Sequence, residues 1–224
     1  MIQKVVVFDL DETLLSKDSM KTWFFIQFKN NILRLICLIL LSPFVLLLLF
    51  FRKYRIFGIS LLTWIATYGL SKSELEQSFK CFAQHIKEHK IPSLYWYSEG
   101  ILELQNHLNA GHRVILATAS PEMLAIFLLQ SLNIQIEIVG TPLQQKFGGW
   151  IATSRCWHNE KVRRLSLLNV QKPWLASYSD NIKDDYPILI NCKYPNLING
   201  NEPKKVNTHL QQIKHLTWHR PLNK

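Results

Sequence analysis

Short apolar runs recur along this chain, and they limit its fold more than any other feature. Val5–Phe8 and residues 114–117, 134–139, 174–178 and 187–190 are each of buried-strand length and mostly β-branched or aromatic. Helix-like stretches at 121–132 and 160–168 separate the later runs, so strand and helix alternate. That alternation predicts an α/β fold, a doubly wound parallel sheet covered on both faces. No internal repeat is evident.

Residues 17–100 break the pattern. They hold few strand signals and many apolar residues at helical spacing, as in 74–89, and read as a helical insertion after the first strand. The expected organisation is a core of residues 1–16 and 101–200, a helical cap of 17–100 and a basic tail of 201–224. At 224 residues there is room for one core and an insertion, not two independent large domains.

Inside the insertion, residues 35–51 form an uncharged apolar run interrupted by Ser42 and Pro43, with Arg34 before it and Arg52, Lys53 and Arg55 after it. A second apolar stretch covers 56–70. A buried cap helix can look like this. A run apolar on every face and near the ~20 residues that span hydrocarbon reads better as a membrane-contacting segment, about 32–51, alone or together with 56–70.

Lys and Arg outnumber Asp and Glu by 26 to 16, a net charge of +10 that suits an anionic partner. No interleaved basic and aromatic motif of a nucleic-acid reader is present, so nucleic acid ranks last. Cys37, Cys81, Cys156 and Cys192 form no CxxC pair, which suggests neither zinc nor disulfides and fits a reducing cytosol. The start runs straight into the first strand, with no signal-peptide pattern, so the catalytic part is expected to stay cytoplasmic.

Asp9 and Asp11 follow the first strand directly, where ligands bind in open α/β sheets. Asp9 would attack phosphorus, and Asp11 would protonate the leaving alcohol and later activate water. Run 114–117 ends in Thr118 and Ser120, hydroxyls and N–H groups suited either to a phosphate or to capping the next helix. Lys161 opens a helical stretch and could neutralise a transferring phosphoryl group. Asp180 and Asp184 follow another strand. Asp9, Asp11, Asp180 and Asp184 together would repel one another without a cation, which points to Mg²⁺.

These pieces, in this order, resemble the motif set of the haloacid dehalogenase (HAD) phosphatases. The resemblance implies Asp9 as nucleophile, Asp11 as general acid and base, Thr118 and Lys161 as phosphate binders, Asp180 as metal ligand and Asp184 as an auxiliary metal carboxylate. The insertion resembles the cap of the phosphoserine phosphatase branch, and its size excludes the capless branch. The chain is further similar to the bacterial phosphatidylglycerophosphatase C family, through Ser60 to Trp64, Tyr68 and Gly69, Gly148 to Ile151, Arg155 and Cys156, Glu160 to Val162, and Ser177 to Asp180. Glu12 departs from the small residue many HAD phosphatases carry there, and Asp185 is an acid with no assigned role.

The resemblance implies hydrolysis of phosphatidylglycerophosphate, an anionic phospholipid, at the cytoplasmic face of the bacterial inner membrane, with no obligate protein partner. Asp9 precedes the apolar run while Thr118, Lys161 and Asp180 follow it, so one crossing would split the site. The segment must re-enter with Ser42 and Pro43 as tip, lie in the interface, or cross twice. Arg155 is read as a contact to a second substrate phosphate or as a surface ion pair, and the tail as resting on lipid or as a solvated helix. The alternatives are a soluble phosphoserine phosphatase-like enzyme with 35–51 as cap core, and a non-catalytic membrane adaptor, which the complete set of catalytic side chains argues against.

Overall fold

The computed structural model describes residues 4–51, 53–200 and 213–220. Strand β1 (Val5–Phe8) is buried at every position and lies inside a six-stranded parallel sheet. The other strands are β2 (Arg113–Pro121), β3 (Glu137–Thr141), β6 (Trp174–Ser179), β7 (Cys192–Ile198) and β8 (Lys214–Leu216), in the order β3-β2-β1-β6-β7-β8. Alternate β1 side chains serve opposite faces. Val6 and Phe8 join a core with Leu116, Leu104 of α5 (Ser98–Asn109) and Leu124 and Leu128 of α6 (Glu122–Ser131). Val5 and Val7 join another with Ile115, Leu165 of α7 (Asn159–Leu167) and Ile188 of α8 (Ile182–Leu189). Burial on both faces is why the strands read as unbroken apolar runs.

The strand expected at 187–190 is instead the end of α8. Asn181 accepts hydrogen bonds from the N–H groups of Lys183 and Asp184 and starts a helix there, and the apolar run packs from that helix. The next strand, β7, went unread because Lys193 and Tyr194 are exposed and Pro195 interrupts it. Pro195 is tolerated because β8 pairs with β7 only from Asn196 onward, leaving β7 an edge at the proline. Among the described tail residues, β8 extends the sheet and Trp218 is buried against Tyr97 and Tyr178, so this part is a strand and not a helix. Lys204, Lys205 and Lys224 lie outside the described residues, as does Arg52.

Between β1 and α5 lie α1 (Ser19–Lys29), α2 (Ile32–Phe50), α3 (Arg55–Thr67) and α4 (Lys72–Lys87). Helix α4 starts with a reciprocal cap between Ser71 and Glu74 and buries Leu75, Phe79, Phe82 and Ile86, with Phe79 5.0 Å from the Trp23 ring. A hairpin of β4 (Leu143–Lys146) and β5 (Gly149–Ala152), joined through Phe147 and Gly148 at positive φ, packs on α3. The Trp150 N–H donates to the Thr67 hydroxyl at 2.8 Å, Trp64 Nε1 to the Phe147 carbonyl at 3.1 Å and the Ser60 hydroxyl to the Ala152 carbonyl at 2.9 Å. A Cβ on Gly149 would stand 2.7 Å from the Trp64 ring. The two stretches quoted for the resemblance, 60–69 and 148–151, therefore clasp each other.

Helix α2 does not turn back at Ser42 and Pro43; it continues unbroken to Phe50 and the chain reverses after it. Pro43 cannot donate to the Ile39 carbonyl, and the Ser42 hydroxyl does so instead at 2.8 Å. Of its 19 residues only Val45 is buried. Its outer side exposes Leu33, Ile36, Leu40, Phe44 and Leu47 to the surroundings, while Leu35 and Leu38 pack inward.

Candidate active site

Asp9 sits just past β1, its N–H bonded to the Tyr178 carbonyl at 2.9 Å, so β1 and β6 deliver Asp9 and Asp180 side by side. With β2 on one side and β6 on the other, this is the switch point of the sheet. Thr13 ties the two acids. Its buried hydroxyl accepts the Asp180 N–H at 2.9 Å and lies 3.2 Å from Asp180 Oδ1 and 3.4 Å from Asp9 Oδ2. Thr13 lies two residues after Asp11, and its role in linking the acids was not legible in the sequence. Glu12 takes φ of 59°, a conformation that glycine adopts without cost, which gives its departure from a small residue a structural setting.

Lys161, in the first turn of α7, is 2% exposed and places Nζ 2.6 Å from Asp9 Oδ1 and 2.7 Å from Asp185 Oδ1. Burial alone would lower its pKa, but the Asp185 and Asp9 carboxylates outweigh burial and raise it, so Lys161 is a fixed ammonium. The carboxylate of α8 that meets it is Asp185, not Asp184. At Asp185 the helix backbone leaves helical values, φ −110° and ψ 15°, and the buried side chain also accepts the Ser179 hydroxyl at 2.7 Å. Asp184 is half-buried and lines the cleft.

Asp11 lines the same cleft but is held by donors of its own. Its Oδ1 accepts the Ser19 N–H at 2.6 Å and its Oδ2 the Ser120 hydroxyl at 2.5 Å. Burial, and then Asp18, push its carboxyl up to about 6 against the pull of these hydrogen bonds, a value suited to a group that must carry a proton near neutral pH. Ser120 thus holds Asp11, and its own N–H donates to the Thr118 hydroxyl at 3.0 Å within the buried end of β2. Of the two hydroxyls that sequence reasoning offered to a phosphate or a helix cap, Ser120 contacts the acid, and Thr118 is fully buried behind it. Arg155, from the turn between β5 and α7, stands over the Trp157 ring at 5.1 Å. Asp9, Asp11, Arg155, Lys161, Asp180 and Asp184 all line one cleft of about 210 Å³.

Among the described residues no three His, Cys, Asp or Glu side chains gather as a metal cage, so the four-carboxylate ligand set is not assembled. Asp9 and Asp180 nonetheless fit Mg²⁺, which takes one or two carboxylates and completes its shell with water and phosphate oxygens. Burial pushes Asp9 well up, with Asp185 and Asp180 adding to it and Lys161 opposing; burial and then Asp185 push Asp180 up to about 7. Lys161 alone does not offset burial there, and a divalent cation beside Asp9 and Asp180 would favour their ionised forms.

Solved structures share this fold at low identity. A protein of unknown function from Bordetella pertussis Tohama I is 19% identical with a TM-score of 0.62, the match covering 90% of this chain and 92% of that one. A phosphoserine phosphohydrolase-like protein from Francisella tularensis subsp. tularensis SCHU S4 is 17% identical at TM-score 0.56, covering 87% of each chain. The phosphoserine phosphatase from T. onnurineus is 13% identical at TM-score 0.53, covering 90% and 86%. Residues 6–189, carrying Asp9, Asp11, Lys161, Asp180 and Asp185, match the family model of the haloacid dehalogenase-like hydrolases, and the chain belongs to that family.

Proposed function

We propose that this hydrolase is an Mg²⁺-dependent phosphatase whose substrate is a phospholipid phosphomonoester, phosphatidylglycerophosphate in particular, taken at the cytoplasmic face of the bacterial inner membrane. Asp9 attacks phosphorus to form an aspartyl-phosphate while Asp11, protonated and held by Ser19 and Ser120, donates its proton to the departing alkoxide. The same carboxylate then takes a proton from the water that cleaves the acyl phosphate. Lys161, fixed by Asp185, faces the charge that builds on the phosphoryl oxygens. Mg²⁺ held by Asp9 and Asp180 would neutralise the phosphate and favour its approach to a carboxylate.

The observation that carries the lipid reading is the outer face of α2. Leucine and phenylalanine side chains along 19 residues, about 28 Å at 1.5 Å per residue, face outward with none of the described residues packed on them. Helix α3 packs behind α2 and the β4–β5 hairpin packs behind α3, with Gln144, Gln145 and Lys146 exposed on the hairpin. Crossing the bilayer would carry that polar clasp into hydrocarbon, so α2 is read as lying in the interface plane. After burial, Arg55, at the turn end of the α2–α3 pair, is the charge that most weakens the hold of the cleft residue Arg155 on its proton.

A second reading, a phosphatase of small soluble phosphomonoesters, has the comparisons behind it. The solved structures that share the fold include phosphoserine phosphatases, and the cleft itself is small and polar. That reading makes 35–51 a cap core, and the exposure of α2 speaks against it. Phosphate release by detergent-solubilised protein with Mg²⁺ separates the two. Preference for phosphatidylglycerophosphate over phosphoserine supports the lipid reading; the reverse preference replaces it with the second.

A further inference from the structure

We propose that Arg155 forms a second oxyanion subsite beside the reacting phosphate, selecting phosphomonoesters that carry another negatively charged group. The inference rests on the phosphatase reading and adds to it what the substrate must contain.

The charges in the cleft motivate it. Lys161 is satisfied between Asp9 and Asp185, and Lys21 is paired with Asp18 at 3.0 Å. Arg155 lines the same cleft, yet among the described residues no carboxylate lies within ion-pair distance of it. Asp184 and Asp18 act on it from farther away, while burial and then the neighbouring Arg55 weaken its hold on its proton. The Trp157 ring, 5.1 Å from the guanidinium carbon, supports the group and restricts its motion. A held, partly desolvated guanidinium without an acid lacks the partner that its fork of N–H donors fits best, a phosphate or carboxylate. The transferred phosphoryl group already has Lys161 and the Asp9–Asp180 metal position, so the oxyanion for Arg155 is a different group of the substrate.

Two sources of that oxyanion are distinguishable: the phosphodiester of a lipid headgroup and the carboxylate of a small phosphorylated acid. The test measures binding, with Mg²⁺ present, to Asp9→Asn and to the same protein carrying Arg155→Ala or Arg155→Lys. The probes are glycerol 2-phosphate, phosphoserine, and the water-soluble deacylated headgroup of phosphatidylglycerophosphate. The expected result is that one second-anion probe binds about tenfold or more tightly than glycerol 2-phosphate, as one charge-assisted hydrogen bond allows. Arg155→Ala erases that advantage and Arg155→Lys keeps part of it. The probe that holds the advantage identifies the source. Equal weakening of all three probes in Arg155→Ala, as a structural role would give, or no weakening of any, overturns the proposal. Because binding is read without turnover, failure of the native protein to release phosphate from any probe would count against the phosphatase reading alone.

Discussion

Replacing Leu33, Leu40 and Leu47 together by Gln removes the centre line of the outer face of α2. The three lie seven residues apart, so they share one side of the helix, and they are 71%, 73% and 54% exposed. Full burial of a leucine is worth about 1.5–3 kcal/mol. Scaled to these exposures, each contributes about 1–2 kcal/mol on entering the lipid interface, and the three about 3–6 kcal/mol. That corresponds to roughly a hundred- to ten-thousandfold in partitioning. Gln is a good helix former, so circular dichroism and the melting temperature should stay close to those of the parent. The assay is co-sedimentation with anionic phospholipid vesicles at fixed salt. Retention of binding within threefold of the parent would refute the assignment of this face to the membrane.

Asp185→Asn is expected to cost about 3 kcal/mol, the low end for a broken buried pair because Lys161 keeps Asp9, and to lower kcat; Asp184→Asn should shift stability by less than about 0.5 kcal/mol. Equal melting temperatures for the two variants would contradict the role given to Asp185. Metal-free protein should be more stable at pH 5 than at pH 8. Carboxyls raised in the folded state, Asp11 to about 6 and Asp180 to about 7, favour folding while protonated and lose that contribution as pH rises through those values. Millimolar Mg²⁺ should restore stability at pH 8 by several degrees in a thermal melt, and an unchanged melt at pH 8 would count against the metal position. Gly149→Ala drives a Cβ against Trp64 and should cost about 1–3 kcal/mol in a denaturant titration, with no loss if the clasp does not bear on stability.

The parts of the fold legible in the sequence are those whose side chains are buried on both faces, since β1, β2 and β6 then read as apolar runs. Where burial is one-sided or partial the signal fails. Lys193, Tyr194 and Pro195 hid β7, and residues 187–190 looked like a strand although a cap at Asn181 makes them helical. The hairpin of β4 and β5 offered polar Gln144 to Lys146 and only the Phe147–Gly148 turn as a clue. In the site, positions just after a strand were readable because strand ends converge at the switch point. Which of two adjacent acids turns inward was not, because a local kink at Asp185 decides it. Nor was the use of Ser120, since its bond to Asp11 joins residues 109 apart.

Reduction with borohydride during turnover, followed by mass spectrometry of the peptide that contains Asp9, measures most directly whether this carboxylate takes the phosphate. With phosphatidylglycerophosphate and Mg²⁺ present, the reduced product of an acyl phosphate is expected at Asp9, and it should vanish when Mg²⁺ is withheld. Phosphate release at the native rate by Asp9→Asn, or the trapped group at another residue, would contradict the account.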